Sequence, residues 1–478
     1  MTTGQSTPGE RSEDDRLAWL LAATAVGVYL LVIAGTTTAI VDATSACPTW
    51  PVCEGSVFGD AALAVAWTHR LTAAGVGLLA LGTVAVAWRS DTSRRVRAVL
   101  TLPLVLYPAQ VGVGAVTAIR GAPPMVSGLH LVTGIAIFAG VLLALTWHLE
   151  ERTADGDGPD TGADRDDPSP AAPTEAAVEP PERDPPTSLS GRALRRGLAY
   201  LRLTKPRLMW LLCLVAVAAM ALAAGPGLAP GVVAATLAGG VLAIGASGTF
   251  NHVLERDVDR RMNRTADRPI VTDEVGVYRA TAFGLALAVA SLAAFAAVNL
   301  LAAVLGLTAI LFYSVVYTLL LKPNTVQNTV LGGAAGALPA LIGWAAVRGR
   351  IDLPAVLLAS VVFAWTPAHF YNLALAYRED YERGGFPMLP VVRGAAVTRK
   401  HVLLYLGATL VGTVVLGAAT DLGAVYALTS AALGGVFLWA VVRLHHERTD
   451  RAAMRSFHAA NAFLGALLVA VAVDAAVI

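Results

Sequence analysis

The chain has 478 residues, 56% of them hydrophobic and only 14% charged, and its 35 basic and 34 acidic side chains leave a formal charge of +1. With a mean hydropathy of +0.62, such a chain cannot be one soluble domain, and the balanced charge implies no nucleic-acid partner. What remains is an all-α polytopic membrane protein whose constant partner is the lipid bilayer.

Residues 1–16, MTTGQSTPGERSEDDR, make a cytoplasmic tail without the charged-then-apolar pattern of a cleaved signal peptide, so the first span is expected to stay as an anchor. Four apolar runs follow near residues 17–40, 61–88, 97–118 and 122–148, within the roughly 18–25 residues that cross a bilayer. They define a four-helix block over 17–148. His69 lies about eight residues into the second run and His130 about eight into the fourth. Both runs enter from the outer face, so the imidazoles sit at matching depth near the outside. Histidines paired on separate helices of a bundle suit bis-histidine ligation of haem b; the alternative is two buried, hydrogen-bonded histidines. The outer loop SACPTWPVCEG places Cys47 and Cys53 in the oxidising compartment, close enough for a disulfide, while Cys213 reads as a small buried apolar residue.

Residues 149–190, rich in Asp, Glu, Pro, Gly and Ala, lack an apolar face and are expected to form a disordered acidic linker, either a plain solvated tether or a segment suited to a salty cytoplasm. Residues 191–478 carry nine more runs, near 207–224, 229–251, 276–297, 299–321, 325–346, 353–375, 401–419, 422–443 and 457–477. The basic stretches RSDTSRRVR, GRALRRGLAYLRLTKPR and RLHHERTDRAAMR fall on one side of this alternation, which the positive-inside rule makes cytoplasmic; VRGRID, after Trp344, is an exception on the outside.

The stretch NHVLERDVDRRMNRTADRP crowds charge at the cytoplasmic end of the sixth run. Asn251, Glu255 and Asp259 are four apart and share a helix face, offering oxygen ligands to a hard cation such as Mg²⁺, which usually bridges carboxylates to phosphate. Arg260, Arg261, Arg264 and Arg268 follow with guanidinium forks that match phosphate. A second acidic cluster, Glu379, Asp380 and Glu382 in HFYNLALAYREDYERGGFPMLP, ends the tenth run on the same side, and Lys205 and Lys322 stand at the ends of the fifth and eighth. Two acidic clusters with these cations around an apolar cavity fit a prenyl diphosphate, its leaving group stabilised and water kept from the allylic cation. Tyr313, Tyr317, Phe370 and Tyr371 are candidates to face that cation, although aromatic residues in membrane helices also serve packing.

The same residues resemble the first acidic signature of the UbiA superfamily of intramembrane prenyltransferases. LTKPR, YTLLLKPNTVQNTVLGGAAGALPALIGW and HFYNLALAYREDYERGGFPMLPVVRG are similar to hallmarks of the protohaem IX farnesyltransferase family, from about Tyr200 to the C-terminus. Quinone-type members usually carry a more acidic second motif, whereas here Tyr377 and Tyr381 flank Glu379 and Asp380. The resemblance implies a nine-helix prenyltransferase over 191–478, in the cell membrane with its site facing the cytoplasm. Its implied reaction joins the farnesyl group of farnesyl diphosphate to the C2 vinyl group of haem B with hydration, giving haem O for haem-copper oxidase biogenesis; geranylgeranyl diphosphate is the alternative donor. Asn251, Glu255 and Asp259 would hold one Mg²⁺ and Asp380 with Glu379 a second, Arg264, Arg268 and Lys322 would grip the diphosphate, and Lys205, Tyr313, Tyr317, Tyr381 and His369 would line the substrates, His369 touching haem iron or a propionate.

The first block resembles one half of the haem A synthase family, through CPTWPVC, THR and GLHL. Ala66 stands where that family often has an acid, and the chain has one four-helix unit where longer members have two. The block is expected to be a haem carrier or sensor, or half of a synthase that a second copy or a haem A synthase partner would complete. The alternatives for the whole chain are a bifunctional haem O and haem A synthase, or a prenyltransferase acting on a quinone or lipid acceptor.

Overall fold

The computed structural model describes residues 8–40, 43–54, 58–121, 123–154, 188–420 and 422–477. Every regular element among them is helical: α1 (Pro8–Ile40), α2 (Ala43–Ala46), α3 (Ala61–Arg89), α4 (Arg94–Arg120), α5 (Pro124–Ala154), α6 (Leu189–Leu203), α7 (Pro206–Ala224), α8 (Pro230–Leu254), α9 (Arg256–Asp259), α10 (Val277–Ala296), α11 (Leu300–Leu311), α12 (Asn328–Arg348), α13 (Leu353–Ala376), α14 (Arg378–Arg383), α15 (Leu389–Val392), α16 (Gly394–Ala419), α17 (Ala424–Glu447) and α18 (Asp450–Val477), with a π-helix at Phe312–Leu321. Among the described residues thirteen helices are long and apolar enough to cross a membrane, at the places the hydropathy indicated. The chain is an integral multi-pass membrane protein.

Local chemistry sets the helix ends. Asp60, Ser93 and Ser188 cap α3, α4 and α6 by accepting from Leu63, Val96 and Gly191 N–H. Pro206 and Pro230 open α7 and α8, where a proline's missing N–H costs nothing. The basic stretch before α7 is the helix α6: Ala199 and Leu203 are buried one turn apart while Arg192 and Arg196 stay exposed, an amphipathic pattern. Most of the expected linker, residues 155–187, and the first seven residues of the expected tail lie outside the described residues. Within those two segments α5 continues to Ala154 and α1 already begins at Pro8.

Packing divides the chain into two units that do not follow chain order. One contains α1 to α5 together with Arg399–Arg448, hence most of α16 and all of α17; the other contains α6 to α15 and α18. The expected domain boundary near residue 190 is thus a boundary in sequence. Inside the first unit, Thr24 and Thr83 pair at 2.8 Å, and the buried Tyr29 hydroxyl meets Thr413 at 2.9 Å and Ser430 at 2.6 Å. In an apolar bundle these polar ties fix which helix faces meet. In the second unit α7 touches α12 backbone to backbone: a Cβ added at Gly343 would stand 2.4 Å from the Ala216 carbonyl oxygen.

Candidate functional site

The charged cluster forms where α8 ends. Asn251 lies in its last turn and Asp259 in the short α9, with Glu255 at their junction; all three side chains are buried. Lys205 reaches them because it adopts a left-handed backbone conformation, φ 53°, directly before Pro206, and its ammonium donates to the Asn251 amide oxygen. That conformation is unfavourable for a lysine and is held by the helices on either side. Asn251 in turn donates to Thr318 at 3.3 Å, and Thr318 to the Tyr313 carbonyl at 2.8 Å. The π-helix aligns these groups: five-residue hydrogen bonding, as in Lys322 N–H to the Tyr317 carbonyl at 2.8 Å, puts Tyr313, Thr318 and Lys322 in one line. Lys322 then pairs with Glu255, while Arg268 lies 2.5 Å from Asp259 and 3.8 Å from Glu255.

Three cations, Lys205, Lys322 and Arg268, therefore surround two carboxylates. Burial pulls the Lys205 ammonium down to about 7, Arg268 and Lys322 adding to the effect while Glu255 and Asp259 oppose it. Burial pushes the Glu255 carboxyl up, but Lys322, Lys205 and Arg268 outweigh it and hold the group below its ordinary value. Asp259 ends above its ordinary value, because burial and the Glu255 charge exceed what Arg268 and Lys322 supply. An enclosed surplus of positive charge is the setting for an anion.

The loop after α9 supplies the remaining arginine. Asp380, buried in α14, accepts the backbone N–H groups of Asn263 at 3.2 Å and Arg264 at 3.0 Å and pairs with Arg383. Arg264 thereby donates to the Tyr381 hydroxyl at 3.1 Å and lies over the Tyr377 and Tyr381 rings, 5.0 and 5.2 Å from their centres. Arg202 of α6 clamps the same loop through the Asp267 carbonyl and Glu274. Lys322 stands 4.2 Å above the Phe386 ring. Beside the cluster opens an apolar cavity of about 770 Å³ including its mouth, walled by α7, α8 and α12, with Lys205, Ser247 and Tyr313 at one end and Thr236, Phe295 and Ile342 at the other. Tyr317 adjoins Tyr313 at 5.6 Å.

Oxygen donors from Asn251, Glu255 and Asp259 suit Mg²⁺, and one guanidinium within reach of both carboxylates shows that they converge on a cation-sized position. Among the described residues no three His, Cys, Asp or Glu form a ready-made metal cage. The expected second cation on Asp380 and Glu379 finds no support in this geometry. Glu379, the residue before Asp380 in α14, is exposed, and both oxygens of Asp380 accept backbone N–H groups that cannot swing aside. His369 is also set apart: its ring is stacked between Trp365 and Phe457, 4.3 Å from each, which is the packing of a core residue. Tyr371 is buried in α13, and Phe370 packs beside Met262 and Ala374. Reasoning from sequence missed Thr318, Phe386, Arg383 and His252, which is buried beside Asn251 with neither ring nitrogen partnered by protein. Only the proximity of His252 to Asn251 in the chain was a signal.

In the first unit Cys47 and Cys53 form the expected disulfide, Cα atoms 5.2 Å apart. Arg70 donates to the Pro51 carbonyl at 3.2 Å and the Cys47 carbonyl at 3.3 Å, joining that loop to the helix turn bearing His69. His69 packs against Gly35 and His130 against Gly114, where added Cβ atoms would stand 3.4 and 3.2 Å from the rings. Neither Nδ1 has a protein partner.

Together the fold and the cluster define an intramembrane protein with a cation-rich site at the mouth of an apolar cavity, built for an amphipathic anion. Residues 211–467 match the UbiA prenyltransferase family, to which the chain belongs. Residues 58–172 match the cytochrome oxidase assembly protein family. Among curated relatives, a protoheme IX farnesyltransferase of Haloarcula marismortui is 58% identical over 97% of this chain and 99% of its own. Protoheme IX farnesyltransferase 1 of Natronomonas pharaonis is 60% identical over 95% of this chain and 97% of its own. A solved structure described in terms of digeranylgeranylglyceryl phosphate synthase in membranes superposes with a TM-score of 0.51 at 15% identity, over 59% of this chain and 99% of that one, a likeness of fold.

Proposed function

We propose that the chain prenylates haem B, transferring the farnesyl group of farnesyl diphosphate to the C2 vinyl group with addition of water, to give haem O. The reading rests on the cation-rich cluster at the mouth of an apolar cavity, and relatives of that name along nearly the whole chain support it. Arg264, Arg268, Lys322 and Lys205 bind the diphosphate, Arg268 and Lys322 turning to it from Asp259 and Glu255. Asn251, Glu255 and Asp259 would then hold Mg²⁺, which when bound offsets the charge of the departing diphosphate. The cavity receives the prenyl chain and excludes water from its C1 carbon, and the Tyr313 and Tyr317 rings stabilise the allylic cation as the C1–O bond breaks. The vinyl carbon bonds to C1, and water adds to the resulting benzylic-type cation with loss of a proton. By the positive-inside rule this site faces the cytoplasm of the cell membrane. The test is to incubate membranes containing the protein with haem B, Mg²⁺ and farnesyl diphosphate and weigh the extracted haems: a farnesylated, hydrated haem is expected, and unaltered haem B would refute the reading.

We further propose that His69 and His130 ligate a haem b in the first unit. Their unpartnered nitrogens and the glycines beside the rings fit that group. A bis-histidine absorption spectrum of the purified protein, lost in His69→Ala, is expected; an unchanged spectrum in that variant would contradict the assignment.

A further inference from the structure

Phe295, near the end of α10, closes the apolar cavity at the end away from the charged cluster. Its ring is fully buried and wedged where its neighbours have no side chains: an added Cβ would stand 2.8 Å from it at Gly239 of α8 and 2.4 Å at Gly306 of α11. Ser291, one turn earlier, donates to the Gly239 carbonyl at 2.7 Å and fixes α10 against α8. On the other wall Gly343 brings α12 against α7 at Ala216. The α8 residues lining the cavity run from Gly248, which packs on Lys205, to Thr236. Those twelve helical steps measure about 18 Å at the usual rise per residue.

We propose that the Phe295 ring sets the length of the isoprenoid chain this site accepts, admitting three isoprene units and excluding a fourth. The proposal rests on the reading of the cluster as a prenyl diphosphate site. With its diphosphate at Lys205, an extended three-unit chain ends at the ring, and a fourth unit has room only where the ring now sits. Gly240 gives an independent handle. It lines the same wall, and a Cβ added there meets nothing within 4 Å, so a larger side chain enters empty space without moving the backbone. It stands eight steps from Gly248, about 12 Å along the cavity, enough for two units.

The test measures binding of the unreactive thiolodiphosphate analogues of geranyl, farnesyl and geranylgeranyl diphosphate to the purified full-length protein with Mg²⁺. The unmodified protein is expected to prefer the farnesyl to the geranylgeranyl analogue by about tenfold or more. Phe295→Ala should erase or invert that ratio, and Gly240→Leu should weaken the farnesyl analogue while sparing the geranyl one. A folded Phe295→Ala protein with an unchanged ratio would overturn the proposal, as would a Gly240→Leu protein that weakens all three equally. If Phe295→Ala fails to fold, the Gly240→Leu result decides. Haem takes no part in this binding, so an error in the acceptor leaves the outcome intact, whereas failure of all three analogues to bind the unmodified protein refutes the prenyl diphosphate reading itself.

Discussion

Asp380 ties the arginine-bearing loop to α14, and removing it has a calculable effect. Its carboxylate accepts from Asn263 and Arg264 N–H and pairs with Arg383. Asp380→Asn keeps the shape but leaves a single acceptor oxygen and no charge, stranding one N–H and the Arg383 guanidinium; a buried unsatisfied donor costs about 1–3 kcal/mol. Asp380→Ala strands both N–H groups and takes the carboxylate from the half-buried Arg383, which at about 1–3 kcal/mol for each stranded N–H costs about 2–6 kcal/mol. Arg264 loses its register over Tyr381 in both, so the KM for the prenyl diphosphate is expected to rise about tenfold or more, equivalent to about 1.4 kcal/mol. The assays are thermal unfolding in detergent and initial rates at varied diphosphate and Mg²⁺. An Asp380→Ala protein of unchanged stability and KM, with a rate no longer responsive to Mg²⁺, would show that Asp380 is a metal ligand and that the loop argument is wrong.

Glu255→Gln should destabilise the protein by about 3–5 kcal/mol, because it takes the carboxylate from the buried Lys322, and Lys322→Gln should cost less, because Arg268 stays 3.8 Å from Glu255; in a double-mutant cycle the pair should cost clearly less than the sum, and simple additivity would deny the coupling. Gly332→Ala would drive a Cβ to 2.6 Å from the Tyr317 ring, so a loss of about 1–3 kcal/mol is expected from overpacking. Tyr317→Leu in the same protein should restore stability but not activity, and full recovery of rate would free Tyr317 of any role at the cation. Cys47→Ser removes a short-loop disulfide and loosens the carbonyls that Arg70 holds. A loss of about 2 kcal/mol and a lower haem content are expected, and unchanged haem content would separate the loop from the histidine pair.

The spans were legible because a bilayer imposes a narrow range of length and composition on every helical crossing, and neither an unpaired β-strand nor a loop can satisfy its backbone there. Asn251, Glu255 and Asp259 were legible because four-residue spacing survives the junction of α8 and α9. What escaped depends on partners distant in sequence. Asp380 and Glu379 are adjacent and chemically alike, and only the fold decides that one meets the loop at Asn263 while the other faces outward. His369 looked available until Phe457, on another helix, covered its ring. The π-helix carries no sequence mark that hydropathy can detect, yet it aligns Tyr313, Thr318 and Lys322. The ties of Tyr29 to Thr413 and Ser430 span most of the chain and group α17 with the first helices in a way that chain order conceals.

The most direct test of the account supplies the purified protein with haem B, farnesyl diphosphate and Mg²⁺ in water enriched in heavy oxygen, beside an Asp259→Asn control. The expected result is a farnesylated haem carrying one heavy oxygen atom from the unmodified protein and none from the control. A prenylated product without that oxygen, or equal product from both proteins, would contradict the chemistry assigned to this site.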